Sequence, residues 1–417
     1  MKMTTWIVFC VCFIILLGIA QATVPRYLPP TSITDKTLLT VEYFQKGFKI
    51  YEIVAFLLTR HGIITSLRTV KRILKRLNLK RRNIIYTPLE ILSDVINREI
   101  QTSGQCIGYR TMWRRLMLDY NMYVKRDDVM EIMRALDPVG VELRKAHRLR
   151  RRVYFAKGPN FVWHIDGYDK LKPYGFCIHG AVDGFSRKII WLEVSDSNND
   201  PRLIARYFLD TLNEHKKVPR ILRSDGGTEN CIALLLQQYF RHDATDPFAG
   251  ARSVVVGKST SNQRIERWWG TLRQNGIHWW INFFKDLRDT GTFNELDAIQ
   301  CENLKFCFMD LIQTELDRIA QQWNVHEIRE QTNSSVIGGK PDTLFFIPGL
   351  FETHDFGNAA NLNDVNVCKD MYSRPKRHCE EFKELAHLLK PDLQMPLDAE
   401  SALRMYTELN NLISRID

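Results

Sequence analysis

Three carboxylates stand where this chain could do metal chemistry. Asp166 lies in the run 161–168 (Phe-Val-Trp-His-Ile-Asp-Gly-Tyr), and Asp225 closes 219–225 ahead of Gly226-Gly227. Glu266 lies in 261–269 (Ser-Asn-Gln-Arg-Ile-Glu-Arg-Trp-Trp), which has helical character. A carboxylate among apolar neighbours is costly to bury unless positive charge meets it. Two acids at strand exits and a third on a helix make an all-oxygen donor set suited to Mg²⁺ or Mn²⁺. Both aspartates run into glycine, and the missing Cβ lets a metal and a phosphate approach the backbone. Two ions roughly 3.5–4 Å apart can clamp the attacking and leaving oxygens of an in-line phosphoryl displacement. Separate surface acids with their own ion pairs are the plain alternative. Asn262 stands four residues before Glu266 and Arg273 seven after it, so helical periodicity sets all three on one face. An amide and a guanidinium there would hold phosphate oxygens beside a metal. His164, two before Asp166, points to the same side and reads as a packed core histidine.

The elements that must position these residues follow from punctuation and period. Gly158-Pro159 opens the first strand, 161–168. Strands are then expected at 175–183, 188–194, 220–224 and 252–256, and helices at 200–215, 228–241 and 262–274. Three antiparallel strands followed by alternating helix and strand is an α/β arrangement with a five-stranded mixed sheet. Beyond Trp279 the chain is mainly helical to 325. A loop-rich end opens at Gly338, and a last helix spans 397–416.

Upstream of the sheet the pattern is helical throughout. In 67–77, Val70, Ile73, Leu74 and Leu77 make an apolar stripe, and Arg68, Lys71, Arg72, Lys75 and Arg76 cover the other side. Gly62 stops the preceding helix and Ser66 caps this one. Helix, turn and basic helix read as a helix-turn-helix that enters DNA, or as a plain hairpin with a charged exterior. Helices at 88–102, 108–120 and 128–136 form a second unit of the same kind. The resulting division is 1–22, 33–82, 88–145, 158–280 and 281–417.

The totals agree with a polyanion partner. The chain has 417 residues and a formal charge of +10, with eight Lys or Arg in 68–82 and six in 144–152. Clustered basic charge points to nucleic acid, with solvated helix faces as the alternative. Nine scattered cysteines without a Cys-x-x-Cys indicate neither a zinc framework nor a disulfide scaffold and read as ordinary thiols of a reducing compartment. Residues 1–22 differ from the rest. A basic start, an apolar run and Ala20-Gln-Ala22 have the form of a secretory signal peptide or anchor, or else mark a mis-joined start. The expected location is nuclear, and secretory or membrane-anchored if that segment is genuine.

Four motifs carry a family resemblance: Trp163-His-Ile-Asp-Gly167, Ala181-Val-Asp-Gly-Phe-Ser-Arg187, Arg223-Ser-Asp-Gly-Gly-Thr-Glu-Asn230 and Lys258-Ser-Thr-Ser-Asn-Gln-Arg-Ile-Glu-Arg-Trp-Trp269. Over 158–280 the chain resembles the catalytic core of retroviral integrases and related transposases, and most of all the transposon-derived integrase-like proteins of animal genomes. The resemblance implies a ribonuclease H-like fold and a catalytic, metal-binding triad of Asp166, Asp225 and Glu266. It implies two Mg²⁺ or Mn²⁺ ions, DNA ends and target DNA as partners, a homo-oligomer, and no small-molecule substrate. Water would nick the DNA ends, and the new 3′-hydroxyl would attack a target phosphate. DNA contacts are expected from Arg68, Lys71, Arg72, Lys75, Arg76, Asn262 and Arg273. The chain departs from the family at Gly167-Tyr168-Asp169 and lacks the retroviral zinc module. A domesticated, non-catalytic DNA-binding protein is the alternative.

Overall fold

The computed structural model describes residues 28–80, 86–138, 141, 156–257, 262–329, 337–376 and 380–415. The signal-like segment 1–22, the basic run 144–152 and Lys258–Ser261 of the last motif lie outside the described residues. Three helices come first: α1 (Lys36–Gln45), α2 (Ile50–His61) and α3 (Leu67–Arg76). Gly62 ends α2 at φ 65°, a left-handed conformation that suits glycine. Ser66 Oγ then accepts from the Thr69 N–H at 3.2 Å and caps α3. Val70, Ile73 and Leu74 are buried, whereas Leu77 has turned outward. Helices α4 (Leu89–Ile100), α5 (Tyr109–Leu118) and α6 (Arg126–Leu136) close around Ile96, Met112, Leu116 and Val129.

The sheet is built from β1 (Val162–Tyr168), β2 (Cys177–Asp183) and β3 (Ile189–Ser195), then α7 (Pro201–His215), the short β4 (Lys217–Val218), β5 (Ile221–Ser224), α8 (Cys231–Phe240) and β6 (Val254–Val256). Its order is β3-β2-β1-β5-β6. Pairing is antiparallel from β1 through β3 and parallel from β1 through β5 to β6. This is the five-stranded mixed sheet expected from the strand pattern. Asp183 makes the β2–β3 corner: one carboxylate oxygen accepts from Asn160 N and the other from Ser186 N and Oγ, all at 2.7–2.8 Å. The acid in that motif is therefore spent on the turn.

Strand alternation divides β1 between two cores. Trp163 and Ile165 pack with Leu203 and Phe208 of α7 and Leu234 of α8. His164, Asp166 and Tyr168 face the other side, which α9 (Gln263–Leu272) covers. The single helix expected over 262–274 breaks there into a π turn, Arg273–Ile277, before α10 (His278–Asp289). Gly276 sits in that turn at φ 157°, and a Cβ there would lie 2.8 Å from Glu315 Oε1. The 27-residue helix α11 (Ala298–Asn324) follows and lies along the same face. The chain ends with α12 (Pro341–Phe346), β7 (Asn358–Ala359) paired to β4, α13 (Leu362–Tyr372), α14 (Glu380–Leu389) and α15 (Ala399–Ile413). Among the described residues no helix is long and apolar enough to cross a membrane.

Candidate active site

Register sets the first two acids side by side. In the parallel pair β1–β5, His164 lies opposite Arg223. Asp166 and Asp225 each stand two residues further on, so they reach the same level of neighbouring strands. Strands are about 4.7–4.9 Å apart, so the two carboxylates share one rim. Glu266 comes from the first turn of α9, which packs on β1 and β2, and it is exposed.

The electrostatics agree with this convergence. Burial pushes the Asp166 carboxyl up to about 7, and the charges of Glu266 and Asp225 add to the shift. Glu266 is also raised, first by partial desolvation and then by Asp225. Asp166 thus senses both other acids as like charges and Glu266 senses Asp225, although none is adjacent to another in sequence. Among the described residues no three His, Cys, Asp or Glu side chains are drawn closely enough together to enclose an ion. The acids are neighbours, not a closed cage.

Two side chains fasten α9 across β1. Trp269 Nε1 donates to Asp166 Oδ2 at 2.8 Å, and its ring lies 5.2 Å from that of Tyr168. Asn262, just before α9, donates from Nδ2 to the Ile165 carbonyl at 2.9 Å, and its Oδ1 meets His164 Nδ1 at 2.7 Å. Asn262 is 1 % exposed, so its expected role at DNA needs correction. It precedes the helix, where the chain turns inward, and its amide bonds β1 instead of lining the face of Glu266. His164 is fully buried, and burial lowers its imidazole to about 4, so it is a neutral core residue. Trp269 thus packs on Tyr168 and also holds the first acid, which no local sequence pattern marks.

Asp225 Oδ1 accepts from the Gly227 N–H at 3.1 Å, a tight turn that leaves Oδ2 uncommitted by that bond. A Cβ at Gly167 would lie 3.1 Å from Asn198 Nδ2, a tight contact that this side chain would have to yield to. Arg273, seven residues beyond Glu266, is exposed. Its charge is close enough to Tyr168 to favour the phenolate, although burial raises that hydroxyl overall. Tyr168 Oη is buried without a hydrogen-bond partner among the described residues. On α3, Arg68, Lys71, Arg72, Lys75 and Arg76 are all exposed, and among the described residues none pairs with a carboxylate.

Residues 153–352 match the family model for the integrase core domain. The matched span runs past Trp280, through α11 and α12, so the helical layer over the acid-bearing face is part of it. No curated protein matches the chain. The mixed sheet and the helices flanking it are an integrase core domain, with the ribonuclease H-like fold that this family carries.

Proposed function

We propose that the chain is a DNA-binding, metal-dependent polynucleotidyl transferase whose catalytic acids are Asp166, Asp225 and Glu266. The observation that carries this reading is the meeting of three acids near the exit ends of β1 and β5, where Glu266 and Asp225 raise the proton affinity of Asp166 and Asp225 raises that of Glu266. Such an arrangement is unfavourable for an empty fold and favourable for one that takes up cations. The donor set is all oxygen, which fits Mg²⁺ or Mn²⁺. Two such ions would supply Lewis acidity at the scissile phosphate. The chain's own residues provide position. Trp269 orients Asp166 and leaves Oδ1 outside that bond, and the Gly227 N–H does the same for Asp225. Arg273 offers a guanidinium to the DNA backbone on the exposed face of Glu266, and α3 offers five cations to DNA. Water cleaves a phosphodiester near a DNA end and leaves a 3′-hydroxyl. That hydroxyl then attacks a target phosphodiester, forming one P–O bond as another breaks. Element ends and target DNA are the partners, a homo-oligomer joins them, and the nucleus is the place of action.

A second reading, a non-catalytic DNA-binding protein on the same fold, is favoured by one observation. An indole N–H occupies one oxygen of Asp166. Nicking and strand transfer on labelled DNA ends, with Mg²⁺ or Mn²⁺, separate the two. Asp225→Asn should abolish both reactions and leave DNA binding and melting temperature near wild type. A wild-type chain that binds DNA but cuts it with neither metal supports the second reading.

A further inference from the structure

Away from the acids, a cleft of about 1120 Å³ opens between α1–α2, α5–α6 and residues 325–329 and 337–340. This exceeds the roughly 300–1,000 Å³ typical of small-molecule pockets. Seven Lys or Arg and two Glu line it, a surplus of five positive charges. Both acids are taken: Glu327 lies 3.4 Å from Lys49, and Glu52 lies 3.5 Å from Lys340. Among the described residues, Arg110, Arg114, Arg126 and Arg329 have no carboxylate within ion-pair distance. Arg114 is the most enclosed of the four. Its one hydrogen bond here is a long one, 3.5 Å to the Gln322 carbonyl. Burial and the charge of Arg110 bring its guanidinium down to about 10, so it is still a cation at neutral pH. A largely enclosed cation such as Arg114, next to a like charge and without a counter-charge, is costly.

Aromatic rings interleave with these cations. Trp113 is pinned by its Nε1, which donates to the Val124 carbonyl at 2.8 Å, and the Arg126 guanidinium stands 5.8 Å from its ring centre. Tyr51 on the opposite wall is 47 % exposed. Cations along a groove with ring faces between them are what a nucleic-acid strand requires, since phosphates meet the charge and bases stack on the rings. A helix reading a duplex groove would be convex, as α3 is; this surface is concave.

We infer that the cleft between the two helical units seats a single nucleic-acid strand, with Arg110, Arg114 and Arg126 on its phosphates and Trp113 and Tyr51 beside its bases. This rests on the reading that the chain acts on nucleic acid, but not on metals or catalysis. Binding of the full chain to labelled 20-nucleotide single strands and matched duplexes is therefore measured in EDTA across a salt series. Arg110→Ala with Arg126→Ala, both exposed positions, should weaken single-strand binding at least tenfold at about 0.1 M salt. It should also flatten the salt dependence by about 1.4, two phosphates at roughly 0.7 each. Arg114→Gln should weaken binding while the melting temperature holds or rises, because an uncompensated cation has been removed. Single-strand binding equal to wild type in these variants, or a loss confined to duplex, overturns the cleft assignment and leaves the proposed catalytic function standing. A wild-type chain that binds no nucleic acid overturns both.

Discussion

Helices α1–α3 meet the core through Val325, Ile347 and Phe346, with the Phe56 ring 6.0 Å from that of Phe346. Helices α4–α6 meet it through charge. Fully buried Arg115 donates to Glu99 Oε2 at 2.7 Å, to Ser103 Oγ at 3.3 Å and to Glu315 Oε1 at 3.1 Å on α11. Tyr120 Oη donates to Glu99 Oε1, and Arg318 lies 3.5 Å from Glu315. Apolar contact is non-directional and tolerates sliding. A buried ionic knot works in one geometry only, because every charge must find its partner after losing water. The second unit is thus keyed to one position by a knot of several charges, whereas the first adds to its apolar seat a single buried acid, Glu52, which takes Lys340 at 3.5 Å and the Thr343 hydroxyl at 3.0 Å.

The largest test of this contrast is Arg115→Met. It leaves Glu99 and Glu315 buried without their shared cation, a change that generally costs about 3–5 kcal/mol. Tyr120 and Arg318 still serve the two acids, so the lower end is expected, about 3 kcal/mol by urea denaturation. Adding Glu99→Gln and Glu315→Gln should restore most of that. Failure of the triple variant to recover would show that packing, and not charge, keys this unit.

Acid should separate the units next. Burial opposes ionisation of Glu99, but Arg115 and the Tyr120 hydroxyl outweigh it and hold the carboxyl below its ordinary 4.5. A depressed carboxylate contributes stability that is present above the unfolded value and is lost as pH falls through the folded one. Hydrogen exchange measured downward from pH 4.5 should therefore show α4–α6 opening before α1–α3. Simultaneous opening would remove the electrostatic half of the comparison.

Smaller effects belong to the first unit. Ile347→Val trims one methylene from its apolar seat and should cost about 1 kcal/mol, with the pH profile unchanged. Smallest for folding is Lys71→Ala, Arg72→Ala, Lys75→Ala and Arg76→Ala together. These exposed positions should change stability by well under 1 kcal/mol in total. The same variant should flatten the salt slope of duplex binding by up to about 3.6, at roughly 0.9 per phosphate. An unchanged slope would make α3 a solvated face.

These contrasts also show what was legible beforehand. The strand order up to Asp166 and Asp225 could be read because apolar runs, glycines and period are local. The exposed side of α3 could be read for the same reason. Asn262 was misplaced because a helix wheel cannot show that the residue before the first turn bends inward to bond Ile165. Trp269 and Asp166 are 103 positions apart, and Arg115 and Glu315 are 200 apart. Nothing in a local pattern distinguishes such a tryptophan from any packed ring, or such an arginine from a surface cation. Their meaning arises only when the chain has closed on itself.

The π turn at Arg273–Ile277 acts as a phase shifter. An α-helix advances about 100° per residue, so a wider turn offsets every later side chain from the stripe begun earlier. Residues up to Leu272 are indexed to the sheet and its acids. Trp280, Phe284 and Leu287 are indexed to α11 and the rings around Phe308. Gly276, closed against Glu315, is the joint between the two dials. Since Glu315 also receives Arg115, the rotational setting of the helix beyond the acids is read against the same post that keys the second helical unit.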